Sequence, residues 1–285
     1  ATEEDYALRL NKAAVNIVEV LRSPDILALQ EVENSRVLTD LIFRINELDE
    51  SVRYTGCLIE GLEGRGIDVA YLVRTERITI FDCYQMPGSR EFVIDFRVGT
   101  LFTPPPLILE AEYVTASGDS FPLMLINLHN RSLGSVDEER VQQKRYRQAM
   151  LVAEYVQARF DEDPNAHIVV LGDINGFQFS DGLVDVVGII AGDPQDALLG
   201  PDSDPLEPNL VNQLDRLPED ERYSFVFNGS AQVLDHILTS PALDAYVTDA
   251  QFGRSNADFP EGWFMDDSPF RSSDHDGFMI FVRPE

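Results

Sequence analysis

Apolar residues recur at helical spacing near the start of the chain, where Leu10, Ala13, Ala14, Ile17, Val18 and Leu21 share one face. That pattern predicts an amphipathic helix. The run "DILALQEVEN" then reads as a strand passing into polar residues. "SRVLTDLIFRINEL" returns to helical spacing, with Ser35 as the expected N-cap. Five strand-like runs follow: "VRYTGCLIE", "IDVAYLVR", "ITIFDCYQM", "LILEAEYV" and "FPLMLINLH". Residues 137–160 form the longest predicted helix, whose Arg140, Lys144, Arg145 and Arg147 read as its solvated face. "HIVVLGD" is a buried strand, "DGLVDVVGII" a short helix, and "YSFVF", "QVLDHILTS" and "DGFMIFVR" are further strands. Many strands with few helices predict two packed sheets flanked by helices.

Length and composition narrow this picture. The chain has 285 residues, no visible repeat, and only a short Pro-rich interruption, "FTPPPL", which reads as a loop. A single domain spanning 1–285 is expected. The net charge of −28 excludes a global basic field that would gather nucleic acid. Phosphate binding in such a protein needs a local device, and a bound cation is the obvious one. Cys57 and Cys83 are the two cysteines, so one disulfide is possible but not required. No Cys-x-x-Cys is present, which excludes a thiolate zinc site of that kind. No apolar run reaches transmembrane length.

The chemistry gathers at strand ends. Glu31 follows "ILAL"; Asn127 and His129 close "LINLH" at i, i+2; Asp173 and Asn175 close "VVLGDIN". Asp235 and His236 lie in "VLDHIL", and Asp274 and His275 in "SSDHDGF". Three of the four histidines fall in these blocks, while His167 opens a strand and reads as structural. Each block alone has an ordinary explanation. Gly-Asp and Asn-Gly are turn dipeptides, "LDHI" is compatible with a buried ion pair, and "SDHD" with a turn cap. Five such coincidences in one chain, in this order, argue for a common site.

In order, "QEVEN", "NLH", "GDIN", "LDHI" and "SDH" resemble the motif series of the endonuclease/exonuclease/phosphatase superfamily, from residue 25 to the C-terminus. "RGIDVAYLV" and the run from "NGFQFSDG" to "LDHILTS" are most similar to its large secreted bacterial nuclease-like members. The resemblance implies a four-layered α/β/β/α sandwich of two mainly antiparallel sheets. It implies hydrolysis of phosphate esters with Mg²⁺ or Mn²⁺, Ca²⁺ being a further candidate, and a secreted, bacterial-type setting. Glu31 and Asp274 become the expected metal ligands. His275 becomes the base, oriented by Asp235. Asp173 orients water or protonates the leaving group, and Asn175 and His129 donate to phosphate oxygens. Asp68 is expected to support His129, with Asn127 and Asn34 as further substrate-side or supporting residues.

Two departures bear on substrate. Glu33 stands where deoxyribonuclease I has a DNA-contacting arginine, and "TPPPL" supplies prolines where an arginine often precedes a Pro-Leu. The expected substrate is a phosphodiester, most plausibly nucleic acid, held without a long basic footprint. Sphingomyelinase-type or phosphatase-type chemistry and a non-catalytic binding module are the alternatives, and no stable protein partner is inferred. The resemblance also implies a first strand bearing a metal-side or phosphate-side asparagine. Asn11 and Asn16 lie in the predicted first helix instead. The polypeptide is therefore expected to continue upstream of Ala1 with that strand.

Overall fold

Thr2 opens helix α1 (Glu3–Val15) through a reciprocal cap: its hydroxyl accepts the Asp5 amide at 3.1 Å, and the Asp5 carboxylate accepts the Thr2 amide at 2.9 Å. One π turn, Asn16–Val20, prolongs it. The computed structural model describes residues 2–61, 66–89, 91–94, 97–115 and 117–284. Helix α2 (Ser35–Leu48) buries Leu38, Leu41 and Ile45, one stripe of its surface. Its cap is Asn34, whose side-chain oxygen accepts the Val37 amide at 3.0 Å, and not Ser35. Both residues are good caps, and the chain's extended φ of −171° at Asn34 decides between them.

Both helices cover a small sheet of order β1-β3-β2, formed by β1 (Ile26–Val32), β2 (Tyr54–Leu58) and β3 (Asp68–Arg74). The central strand β3 is buried along nearly its whole length. After β4 (Ile78–Gln85) comes a hairpin of β5 (Glu91–Ile94) and β6 (Arg97–Thr100), then β7 (Leu107–Val114), β8 (Ser120–His129) and, across helix α3 (Glu139–Glu162), β9 (Ile168–Asp173). Helix α4 (Val186–Ala191) precedes β10 (Val211–Asn212), the hairpin β11 (Phe225–Phe227) and β12 (Ser230–Gln232), and β13 (Asp235–Thr239). The large sheet has the order β10-β13-β9-β8-β7-β4. All its pairs are antiparallel except β8–β9, which the long crossover helix α3 requires to be parallel. Helix α5 (Pro241–Asp244) leads to a ribbon of β14 (Val247–Gly253) and β15 (Gly277–Val282).

Strand alternation builds the four layers. Leu107, Leu109 and Ala111 of β7 meet Tyr71 and Val73 of β3 between the sheets. Ile108 turns the other way and joins Ile126, Leu128 and Val170 beneath α3 and α4. Leu27, Leu29 and Leu72 pack under α1 and α2. The expected α/β/β/α sandwich is therefore the observed fold. Cys57 and Cys83 are disulfide-bonded, joining β2 to β4 at the outer edges of the two sheets. The strand β14 and the β5–β6 hairpin carry weak periodicity and were not expected from the sequence.

Candidate active site

Register places three functional side chains in one row. His129 lies opposite Asp173 across β8–β9, and Asp173 lies opposite Asp235 across β9–β13. His129 Nε2 is 3.7 Å from an Asp173 oxygen. His275, from the loop before β15, completes the row: its Nδ1 is 2.6 Å from Asp235 Oδ2. Close strand approach here depends on Gly172, with φ +121°, where an added Cβ would lie 2.2 Å from the Leu128 carbonyl oxygen. The imidazole of His275 also lies against Phe225, ring centroids 4.7 Å apart and planes tilted by 31°. Its loop is pinned from behind. Asn256 Nδ2 donates to the His275 carbonyl at 2.7 Å, and the buried Asp276 carboxylate accepts the amides of Ser255 and Asn256.

Glu31 reaches this row from the other sheet. The pairing of β1 with β3 shifts register between Leu29 and Val32, and Glu31 takes the left-handed φ of +58°. A bulge of this kind re-aims a side chain at the cost of backbone strain. Glu31 stays exposed, with Oε1 3.9 Å from His129 Nε2. Exposed Asp274 lines the same cleft as Glu31, Asp235 and His275. Among the described residues no three His, Cys, Asp or Glu side chains converge as a ready metal cage. The donors present nevertheless fit a hard cation that keeps most of its water and needs only one or two carboxylates.

The row is electrostatically coupled. Burial, and then the charge of Asp235, push the Asp173 carboxyl up to about 8, against the opposing pull of His275. Burial works against a charged His275, but the Asp235 carboxylate and its hydrogen bond outweigh it and raise the imidazole to about 9. The two titrate as members of one cluster. Near neutral pH, the arrangement holds a neutral Asp173 acid beside an Asp235–His275 ion pair.

Several expected site residues have other work. Asn127 is fully buried and spans the sandwich. Its Nδ2 donates to the carbonyls of Leu29 and Ala70, both at 3.0 Å, and its Oδ1 accepts Gln30 Nε2 at 2.7 Å. It ties the sheets together, with both amide protons used and the side chain fully buried, so of the two expected roles it fills the supporting one and not the substrate-side one. Asn34 is committed to capping α2. Asp68, expected as a supporting residue, is buried and uses one carboxylate oxygen to accept the Gly61 amide at 2.9 Å. Arg65, in the "RGIDVA" stretch, lies outside the described residues. His167 stacks on Phe121 with centroids 4.2 Å apart, as a structural histidine.

His236 faces away from the cleft. Its Nε2 donates to the Gly176 carbonyl at 2.7 Å and its Nδ1 faces the Asn212 amide at 3.4 Å. Burial pushes its pKa down from 6.5 to about 4. The unfolded chain therefore binds a proton that the folded chain refuses between those values, so stability rises with pH across the window. His236 contributes fully above about 6.5, and that contribution is lost as pH falls toward about 4. Thermal melts from pH 7.5 to 5 should show a steeper loss for the wild type than for His236→Gln. Parallel curves would remove His236 from the acid response.

Arg145 is the residue that sequence reading misplaced. It lies on α3 but is 1% exposed, not solvated. Its Nη1 donates to the carbonyls of Arg131 and Asn175, both at 2.8 Å, and Nη2 is 3.8 Å from Asp181. One turn on, Gln148 accepts the Arg131 amide at 3.0 Å. The loops leaving β8 and β9 are thus clamped to one helix. Asn175, at φ +54°, is held further by Asp173 Oδ1 accepting its amide at 2.9 Å and by its own Nδ2 donating to the Asn130 carbonyl. The signal was available in part: Val141, Arg145, Gln148 and Val152 share one stripe of α3. Arg145→Met should leave two buried carbonyls without donors and let the His129 and Asn175 loops drift. Misplacement on the order of 1 Å costs about 10²-fold in turnover, so kcat should fall by that order with KM changed much less. Unchanged kcat in a folded variant would refute the clamp.

A model of the endonuclease/exonuclease/phosphatase family matches residues 1–258. Solved structures share the fold at low identity. Truncated TDP2 from Caenorhabditis elegans is 19% identical, with a TM-score of 0.58, covering 95% of this chain and 88% of that one. TDP2 from D. rerio, complexed with single-strand DNA product, is 16% identical, with a TM-score of 0.56, covering 96% and 91%. A mannosyl-6-phosphatase from Bacteroides thetaiotaomicron is 15% identical, with a TM-score of 0.57, covering 98% and 91%. Curated protein sequences provide no match.

Proposed function

The chain belongs to the endonuclease/exonuclease/phosphatase family, whose members hydrolyse phosphate esters, and we propose that it cleaves phosphodiesters with a divalent cation held at Glu31 and Asp274. The observation that carries this reading is the continuous row His129–Asp173–Asp235–His275, with Glu31 at its His129 end. A bound Mg²⁺ or Mn²⁺ would polarise the phosphoryl oxygen and steady the leaving oxygen. His275 accepts a proton from the attacking water in its neutral form, which the Asp235 pair makes the minor one near neutral pH, and Asp235 orients the ring and balances the charge it gains. Asp173, kept protonated by burial and by Asp235, is placed to give its proton to the leaving oxygen. His129 and the remaining amide proton of Asn175 donate to the phosphate where negative charge accumulates.

The acidic surface and Glu33 favour a flexible or single-stranded substrate over duplex DNA, because without a basic footprint there is no counterion release to drive binding to the dense charge of a duplex. Phe225, packed at a tilt against His275, adds an aromatic wall beside the reacting group. The Cys57–Cys83 bond supports an oxidising, extracellular setting. The mannosyl-6-phosphatase relative keeps phosphomonoesters in contention, and sphingomyelin remains a further candidate. A panel of single-stranded DNA, plasmid DNA, RNA, sphingomyelin, a sugar phosphate and a bis-aryl phosphate tests this, each with Mg²⁺, Mn²⁺, Ca²⁺ or EDTA. Cleavage of single-stranded DNA and the bis-aryl phosphate with Mg²⁺ or Mn²⁺ is expected. Activity confined to the sugar phosphate would overturn the phosphodiesterase reading.

A further inference from the structure

Asp235 and His275 meet at 2.6 Å although no strand ladder joins their elements. Asp235 opens β13 in the large sheet, and His275 precedes β15 in the two-stranded ribbon. Among the described residues no strand pairing links β13 to β15. The register that sets His129, Asp173 and Asp235 side by side therefore stops at Asp235. A short charge-assisted hydrogen bond weakens steeply once distance or angle is lost. Something other than sheet register must hold the two partners, 40 residues apart in sequence, at that distance.

The segment Tyr223–Ser224 is joined to both. Ser224 is fully buried. Its Oγ accepts the amides of Leu234 and Asp235 at 3.2 and 3.3 Å, on the β13 side. Its carbonyl accepts the Asp276 amide at 2.8 Å, on the His275 side. Its own amide donates to the Gln232 carbonyl at 2.9 Å, which ties it to the end of β12. One residue on, Phe225 packs against the His275 ring.

Arg254, just after β14, makes a second connection in parallel. Its Nη1 donates to the Tyr223 carbonyl at 2.5 Å and to Asp276 Oδ2 at 3.0 Å, and its Nη2 donates to the Glu221 carbonyl. The guanidinium carbon lies 3.7 Å from the Tyr223 ring centroid and 4.6 Å from that of Phe252, so two aromatic rings fix its plane. Asp276 depends on this cation. Its side chain is fully buried, and a buried carboxylate is costly unless it is paired and hydrogen-bonded. Its other oxygen accepts the amides of Ser255, Asn256 and Ala257. A planar fork serves three acceptors in different directions, which a compact ammonium does not.

We propose that Ser224 and Arg254 are positioning residues, a brace between β13 and the loop before β15 that sets the separation of Asp235 from His275. Both act through backbone groups and through Asp276, at one remove from the imidazole. Losing either leaves the reacting groups present but misplaced, so the effect falls on kcat and not on KM. That kinetic consequence rests on the phosphodiesterase reading, whereas the geometric one does not.

Two variants and two readouts test the brace. Ser224→Ala removes an acceptor and adds no bulk, and Arg254→Lys keeps the charge without the fork. Val156→Ala, a core truncation about 16 Å along α3 from Arg145, controls for lost stability alone. The first readout is the ring nitrogen-15 spectrum of histidine-labelled protein at pH 7. Four histidines make it sparse, and His275 is assigned by its loss in His275→Ala. The second is steady-state kinetics with a bis-aryl phosphate. In both brace variants the His275 Nδ1 signal should move toward that of an unpaired imidazole while the His167 signal stays. The same variants should lose roughly 10–10²-fold in kcat, with KM changed less than about threefold. Val156→Ala should melt lower with the histidine spectrum and kcat unchanged. Each variant that folds with an unmoved His275 signal strikes its residue from the brace, and an unmoved signal in both overturns the proposal. A moved signal with wild-type kcat keeps the brace and removes the Asp235–His275 pair from the reaction, which is instead the failure of the functional reading.

Discussion

Replacing His275 by alanine should lower turnover by roughly 10²–10⁴-fold, the usual worth of a positioned acid–base group, while the protein stays folded. The imidazole has one strong partner, the Asp235 carboxylate at 2.6 Å, and its ring is only partly buried against Phe225. Removing it takes away that pairing, whose raised pKa marks a stabilising contribution at neutral pH, so the variant should melt lower yet stay folded. Asp235→Asn should follow in the same direction, because the amide neither balances an imidazolium nor selects the same tautomer. The two residues act as a unit, so the double variant should be scarcely worse than His275→Ala alone. Steady-state kinetics with a bis-aryl phosphate, beside a thermal melt, decide the matter. Full activity in His275→Ala would remove the proposed base, and losses that multiply in the double variant would separate Asp235 from it.

Chelation should have the larger effect. A cation at a phosphoryl oxygen is worth several kcal/mol of transition-state charge stabilisation, on the order of 10³-fold or more. The row of side chains holds only one carboxylate, Glu31, that is both exposed and beside His129. EDTA should therefore abolish turnover, with Mn²⁺ or Mg²⁺ restoring it. Glu31→Gln should raise the metal concentration needed for half-maximal rate while saturating metal recovers part of kcat. The left-handed backbone at Glu31 gives the variant a second use: the strain stays, so a change in rate reports on the carboxylate. Turnover that persists in EDTA would dismiss the metal, and an unshifted metal requirement in Glu31→Gln would move the ligand elsewhere.

Particular residues show how far the sequence carries. Period-2 and period-3.6 runs located the strands and helices that build the sandwich, because those periods follow from backbone geometry alone. The strand-end positions of His129, Asp173 and Asp235 were legible for the same reason, and the register then set them side by side. Asn127 and Asn175 look equivalent in the sequence, each near the end of an apolar strand. Only the packing of β8 against β1 and β3 made one a tether between sheets. His236 and His275 are likewise both histidines beside aspartates. One lies on the core side of β13 and meets a buried carbonyl, and the other lies on the loop before β15 and meets Asp235 at the cleft. Arg145 was read as solvent-facing because arginine usually is. Its burial follows from two backbone carbonyls, 14 and 30 residues away in sequence, that a loop crossing brings to α3.

By itself the sequence determined most of the elements, their order, and the kind of chemistry gathered at strand ends. Those depend on side-chain type and on spacings of a few residues. The tertiary structure decided which polar groups meet, which are spent on holding the scaffold, and that Cys57 finds Cys83. Such pairings join positions tens or hundreds of residues apart. Their free energy comes from desolvation and hydrogen-bond geometry in three dimensions, which no local spacing records.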